Sequence, residues 1–316
     1  MIAAPVTMKD PNMQPEQPES PPLLVCALIV SHDCVEALRR SVASLEASQG
    51  RERMEILVVD NGSRDGSQRL DSEFAGINML RLPHFCGLTK ARNIGIRTAK
   101  AEFLLMVEPG ILVAPGTVMA LVDRLQADTA ALAVCPAVVD ASGTTISKMY
   151  RLPTADQVSA HWESPAALPA VSDAASFELH DGRAILLRRH TIQGMNYLDQ
   201  KFGENWGDVE MDFQIKRAGK RILLAPDVQV QLDATASARW KPTESSDRAA
   251  FAADAANGAA VYLSKHFGLG ASLAFRLKVI AGALLRTLTF QDFGYNSSLL
   301  SRVISGYKID GSSQHL

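Results

Sequence analysis

Apolar residues along this chain come in short solid runs separated by stripes at helical spacing. "LLVCALIV" (residues 23–30) is a continuous apolar run of strand length, the pattern of a strand buried on both faces. Beyond Ser31-His32-Asp33, the residues Val35, Leu38, Val42 and Leu45 recur at helical spacing. Asp33 followed three residues later by Glu36 reads as a capping box opening that helix. "MEILVVD" (54–60), "INMLRL" (77–82) and "EFLLMV" (102–107) read as further strands, and "LTKARNIGIRTA" (88–99) as a helix. Pro115 and Gly116 open another helix, and "ALAVCPAVV" is a strand again. Order returns at "AILLRR" (184–189), followed by a helix from about Asp208 to Ala218 that Gly219 stops. "RILLA" is the next strand, and residues 247–290 are mostly helical.

Strands alternating with helices predict an α/β fold, a three-layer sandwich around a mostly parallel central sheet, here with added C-terminal helices. In such sheets ligands bind beyond the carboxyl ends of the strands, where Asp33, Asp60 and Glu108 fall. Residues 1–22 are proline-rich with little apolar content and read as a flexible tail. The main domain then spans 23–245 and a helical extension 246–316, with polar, irregular loops over about 141–180 placed to shape an acceptor site.

Composition narrows the function. With 47% hydrophobic and 21% charged residues the 316-residue chain can bury a core. A net charge of -2 argues against nucleic acid as a partner, because neutralising phosphates needs clustered Lys and Arg. The four cysteines (Cys26, Cys34, Cys86, Cys135) show neither a CxxC pair nor metal spacing and read as buried thiols in a reducing compartment. With no leader-like N-terminus and no run of about 18 apolar residues, the expectation is a cytoplasmic protein. No histidine pair has the spacing of a zinc site, and His32, His84 and His266 are given no catalytic role.

"VVDNGSRDGS" carries the most specific chemistry. An apolar strand delivers Asp60 to its carboxyl end, and Asn61 and Gly62 allow a tight turn, so Asp60 can accept hydrogen bonds from a nucleobase imide or a ribose hydroxyl. Taken alone, the same residues make an ordinary polar turn. Lys90 and Arg92 lie in the first turns of a helix, close to backbone donors that favour phosphate, although a solvated helix face would look the same.

These stretches, with "ALIVSHDCVEALRRSVASL", "GLTKARNIGIRTAKAEFLLMVEPGILVAPG", "NWGDVEMDFQIKRAGKRILLAPDVQV" and "YLSKHFG", resemble the inverting family 2 glycosyltransferases of the Rossmann-like GT-A fold over roughly residues 23–268. The resemblance implies transfer of a sugar from a nucleotide-diphosphate donor to a hydroxyl of a glycan or lipid-linked acceptor, as in polysaccharide biosynthesis. It makes Asp60 the base-recognising residue, puts Ser31 and Asp33 beside the nucleotide, and brings Lys90, Arg92 and Asn93 to the nucleotide-sugar side of the cleft. Asp208 stands at the family's catalytic base, with Glu210 as its neighbour; without the resemblance, Asp208 reads as a helix N-cap. Trp206 and Trp240 are candidates for stacking on a sugar ring, Trp206 on the acceptor, or for covering the site, although an aromatic in a loop more often packs.

At Glu108 the family begins an acid-x-acid motif that holds Mg²⁺ or Mn²⁺, and this chain reads Glu108-Pro109-Gly110. The second acid is absent, Gly207 replaces the acid before the base, and Gln231-Leu232-Asp233 replaces a region that often supplies a histidine. The cofactor expectation is therefore a divalent cation, Mg²⁺ or Mn²⁺, that is weakly held or dispensable, unless Asp233 or the diphosphate compensates. The same losses support an alternative, a catalytically inactive binding or scaffold protein of this fold. A dinucleotide-dependent oxidoreductase is disfavoured, since no GxGxxG follows the first strand.

"SLAFRLKVIAGALLRTL" places Leu273, Leu277, Ile280, Leu284 and Leu288 on one side of a helix, with Arg276, Lys278 and Arg286 elsewhere. Such a stripe ordinarily packs on its own domain or on a partner, a second copy making a homodimer; the other use is peripheral contact with the inner face of a membrane.

Overall fold

The computed structural model describes residues 22–173, 177–233 and 245–309. The first half contains β1 (Val25–Ser31), α1 (Val35–Glu46), β2 (Met54–Asp60), β3 (Ile77–Arg81), α2 (Leu88–Thr98), β4 (Phe103–Val107), β5 (Ile111–Val113), α3 (Thr117–Ala127) and β6 (Ala131–Val139). The second half adds β7 (Met149–Tyr150), α4 (Ala155–Ala160), β8 (Ala170–Val171), β9 (Ala184–Arg188), α5 (Arg189–Gly194), α6 (Gly203–Arg217), β10 (Arg221–Leu232), α7 (Ser245–Phe267), α8 (Leu269–Leu288) and α9 (Phe293–Ser305).

The main sheet has the order β3-β2-β1-β4-β9-β6-β10-β5 and is mostly parallel; β9 inserts antiparallel between β4 and β6, and β5 closes the edge antiparallel to β10. The solid apolar runs are explained by the two cores. Val25, Ala27 and Ile29 of β1 join one cluster with α1 and α3, while Cys26 and Leu28 point the other way, into a cluster with α2. β2 and β4 alternate in the same manner. A third core links α6 to α7, α8 and α9 around Phe202, Trp206 and Tyr262.

Several local expectations are corrected. The residue before α1 is Cys34, with no side-chain cap. Asp33 sits at φ 47° and accepts from the Arg64 N–H (2.6 Å), while Asp65 from that neighbouring loop takes the Val35 N–H (2.7 Å). The helix carrying Asp208 begins at Gly203, so Asp208 is interior and not an N-cap. β10 continues past Pro226, tolerated because the ladder is irregular between Ala225 and Gln229. On α8 the buried residues are Ser272, Phe275, Val279 and Ala283, so most of the stripe expected to pack inward faces outward; Ile280 alone is partly buried. No helix among the described residues is long and apolar enough to cross a membrane.

Candidate functional site

The chain leaves β1 toward β2 and β3 on one side and returns to β4 on the other, so a crevice opens at the carboxyl ends of β1 and β4. A cavity of about 370 Å³ lies there, lined among others by Ser31, His32, Asn61, Arg92, Glu108 and Glu204. Ser31 and Asp60 are register partners at the ends of β1 and β2. Both are buried, and Ser31 Oγ and Asp60 Oδ1 have no hydrogen-bond partner among the described residues. Burial raises the Asp60 carboxyl above its usual range, although the Ser63 hydroxyl and backbone N–H hold it the other way. Buried polar atoms of this kind are ordinarily satisfied, so two on neighbouring strand ends, with Ser31 lining the cavity, fit a ligand with donors to give.

The rest of this loop is a frame. Asn61 is buried, its amide donating to the Gly87 carbonyl (3.2 Å) and accepting from the Cys86 N–H (3.0 Å). Gly62 has φ 75°, and a Cβ there would stand 2.4 Å from the His84 carbonyl carbon, so only glycine fits. Asp33 serves the same frame, its N–H donating to Ser63 Oγ (3.1 Å). His32 and Phe85, ring centroids 4.6 Å apart, supply an aromatic wall that the sequence reading did not identify. The four cysteines are free; burial pushes the Cys34 thiol at the cavity up to about 11, which makes it a poor nucleophile.

On the opposite wall Arg92 Nη1 donates to both oxygens of Asp208, at 2.9 and 3.0 Å. Two residues expected in separate roles thus form one mostly buried ion pair. Behind it lies a small cavity of about 40 Å³ lined by His180, Asp181 and Asp208. His180 Nδ1 is 2.6 Å from Asp212 Oδ2, and the same oxygen accepts the His180 N–H at 2.9 Å. Burial disfavours the imidazolium, but the Asp212 charge and hydrogen bond prevail, with smaller help from Asp208 and Asp181, and raise His180 from 6.5 to about 9. The stability supplied by this pair is complete below pH 6.5 and is lost as pH rises through about 9. The wild-type melting temperature should therefore fall across that window, and His180→Gln should start lower and lose the dependence; parallel curves would show that His180 is not protonated in the fold.

The expected phosphate seat at the start of α2 is occupied from within. Glu204, missed in the sequence, accepts the backbone N–H groups of Leu88 and Thr89 and lines the cavity. Desolvation and the neighbouring Asp254 raise its carboxyl. Asn93 does not line the cavity: it is buried and pairs with the Leu198 backbone, donating at 2.7 Å and accepting at 3.0 Å. Lys90 is half-buried beside Cys86 and does not line the cavity.

Glu108 reaches the cavity with Asp181 close enough to feel its charge. The other candidate ligands are committed. Arg40 Nη1 donates to both carboxylate oxygens of Asp233, at 3.0 and 2.7 Å, which corrects the idea that Asp233 compensates at the metal. Gly110 has φ 90°, gives its N–H to Ser41 Oγ (2.8 Å) and accepts from Asp233 N–H (2.8 Å). Among the described residues no group of three or more His, Cys, Asp or Glu side chains is placed to hold a metal. The described residues do not form a protein-built cation cage.

Two further expectations fail on packing. Trp206 is fully buried, donates from Nε1 to the Trp162 carbonyl (3.0 Å) and packs on Tyr262 (ring centroids 5.5 Å), so it cannot stack on an acceptor. Glu210, two positions past Asp208, projects to the other side of α6, as helical geometry requires. There it meets Lys265 Nζ and His266 Nε2, each at 2.6 Å, and ties α6 to α7. Gly207 lines a separate cavity with Glu210, so an acid there would not face the main cleft. Trp240 lies outside the described residues.

Residues 26–181 match the family model described as Glycosyl transferase family 2. Among solved structures, the chain is similar to a mannosyltransferase from Pyrobaculum calidifontis determined with GDP-Man and Mn²⁺: TM-score 0.51, 14% identity, 91% of this chain and 88% of that one covered. It is also similar to GalNAc-T7 determined with UDP, GalNAc and Mn²⁺, with TM-score 0.53, 18% identity, and 66% and 43% of the two chains covered. At these identities the likeness is one of fold. No curated protein matches.

Proposed function

Because this chain belongs to glycosyl transferase family 2 through residues 26–181, we propose that it moves a sugar from a nucleotide-diphosphate donor to a hydroxyl of a glycan or lipid-linked acceptor, with inversion and with Asp208 as base. The observation that carries the reading is the pair of unpartnered buried oxygens at neighbouring strand ends, Ser31 Oγ, whose residue lines the main cavity, and Asp60 Oδ1 on the strand beside it. A nucleobase or ribose brings the N–H or O–H donors that this corner lacks, and His32 and Phe85 give its ring a surface.

Arg92 does double service. In the free protein it neutralises Asp208; a diphosphate offers it a second, more highly charged anion. Arg92 moving to the leaving group stabilises the charge that develops there and releases Asp208 to take the proton of the attacking hydroxyl. Charge that relatives place on a cation is here carried in part by this arginine, so metal dependence is weak or absent. The competing reading is a binding protein in which the Arg92–Asp208 pair never opens; it predicts nucleotide affinity without turnover.

Calorimetric titration with UDP, GDP and dTDP, each with Mn²⁺ and with EDTA, tests the cleft. Binding of one nucleotide should survive EDTA and weaken by roughly tenfold or more in Asp60→Ala, the scale of a hydrogen bond to a charged group. The variant should fold normally, since it removes a carboxylate that burial disfavours. Silence from all three nucleotides in both conditions would overturn the proposal.

A further inference from the structure

The outward side of α8 is apolar from end to end. Leu269, Leu273, Leu277, Leu284, Leu285 and Leu288 are all exposed, Leu269 at 72% and Leu277 at 66%. The surface continues past the helix into Phe290 and Phe293, whose rings stack at 6.0 Å. Soluble surfaces rarely expose so many large apolar side chains together without an occupant, and no described residue covers them.

Charge decides which occupant. α8 and α9 contain no aspartate or glutamate, in a chain whose net charge is -2; of their four cations Lys278 and Arg286 are exposed, while Arg276 turns to Asn257 of α7 (3.1 Å) and Arg302 lies over the Tyr307 ring. Asp292, between the two helices, pairs with Arg248 of α7 (3.7 Å). A second copy docking through this face would set cations against cations with no carboxylate on either helix to answer them. An anionic surface with a yielding apolar interior answers both features, and neither helix is built to go through it.

We propose that the α8–α9 face lies on an anionic lipid bilayer, the leucines and phenylalanines seated at the acyl boundary and the exposed Lys278 and Arg286 at the headgroups. The binding claim stands without the transfer reading, but its consequence for acceptor choice rests on it. Phe275 on the inner side of α8 meets the Trp162 ring at 6.3 Å, and Lys278 Nζ donates to the Ser159 carbonyl at 3.3 Å. That same segment continues into Glu163 and Ser164, which line the main cavity. A face lying on the bilayer therefore holds one wall of the cleft near the lipid, where a lipid-linked acceptor would be delivered.

The test is co-sedimentation of the full chain with phosphatidylglycerol–phosphatidylcholine vesicles and with pure phosphatidylcholine. The anionic vesicles should bind the protein more tightly, and raising the salt should weaken that binding. Leu277→Glu/Leu285→Glu should reduce partitioning by about tenfold or more, and Arg286→Glu by a similar factor at low salt. These exposed positions should leave nucleotide titrations unchanged, and Asp60→Ala should leave vesicle binding unchanged, so the two readings fail separately. Lack of vesicle binding by the wild type, or equal binding by the double-leucine variant, would overturn the proposal. So would a concentration-dependent dimer that the leucine variant abolishes, which would assign the face to a second copy.

Discussion

Asp208→Asn is expected to lower the transfer rate by roughly 10²–10⁴-fold, the usual contribution of a positioned general base. The substitution keeps the shape and one acceptor oxygen but removes the charge facing Arg92, whose side chain is 9% exposed. An uncompensated cation in that position destabilises the fold, so activity has to be compared well below the variant's melting temperature. Nucleotide affinity separates the two effects. It should hold or rise in Asp208→Asn, because Arg92 no longer has to leave a carboxylate to meet the diphosphate. Arg92→Ala should weaken nucleotide binding, and the double variant should differ from the sum of the single effects, since the residues share one interaction. A variant that transfers sugar at the wild-type rate would remove Asp208 from the mechanism.

Trp206→Ala should cost about 3–5 kcal/mol of folding stability, the range for emptying a buried aromatic site. Trp206 is 0% exposed and packs on Tyr262 at the junction of α6 with α7. The loss should appear as an earlier denaturant midpoint with little change in slope. Had Trp206 stacked on an acceptor, the same substitution would have raised KM and spared the fold, so the two measurements together decide its role. Trp206→Phe should recover most of the apolar packing while leaving the Trp162 carbonyl without its donor.

The architecture was legible because strand burial writes itself as solid apolar runs, and β1, β2 and β4 each feed two cores by simple alternation. The turn after β2 was legible because its residues, Asp60-Asn61-Gly62, are contiguous in sequence, although the contacts that hold Gly62 and Asn61 come from His84 to Gly87. What the residues do to one another across the cleft was not. Arg92 and Asp208 are 116 positions apart, as are Leu88 and Glu204, and no periodicity encodes such pairs. His180 ends a stretch read only as irregular and Asp181 lies just past it, though both stand behind the predicted base. Trp206 and Glu210 were misread because α6 packs on two sides. Motif position shows that a residue belongs to the helix, but its angle around the axis decides whether it faces ligand, α7 or core.

Gly110 has a consequence for how this chain could be altered. Its φ of 90° disfavours any side chain, and its N–H and carbonyl are both claimed, by Ser41 and by the Asp233 backbone. An aspartate grafted there would cost about 1–2 kcal/mol in backbone conformation alone. It would also begin from a direction set by the existing turn. A paired-acid site is therefore more than one substitution away: the backbone from Pro109 to Gly110 and the anchors at Ser41 and Asp233 would have to change in concert, each intermediate less stable than its parent. The departure is lodged in the main chain, and a designer who wanted a metal-dependent version would have to rebuild the turn before choosing the ligand.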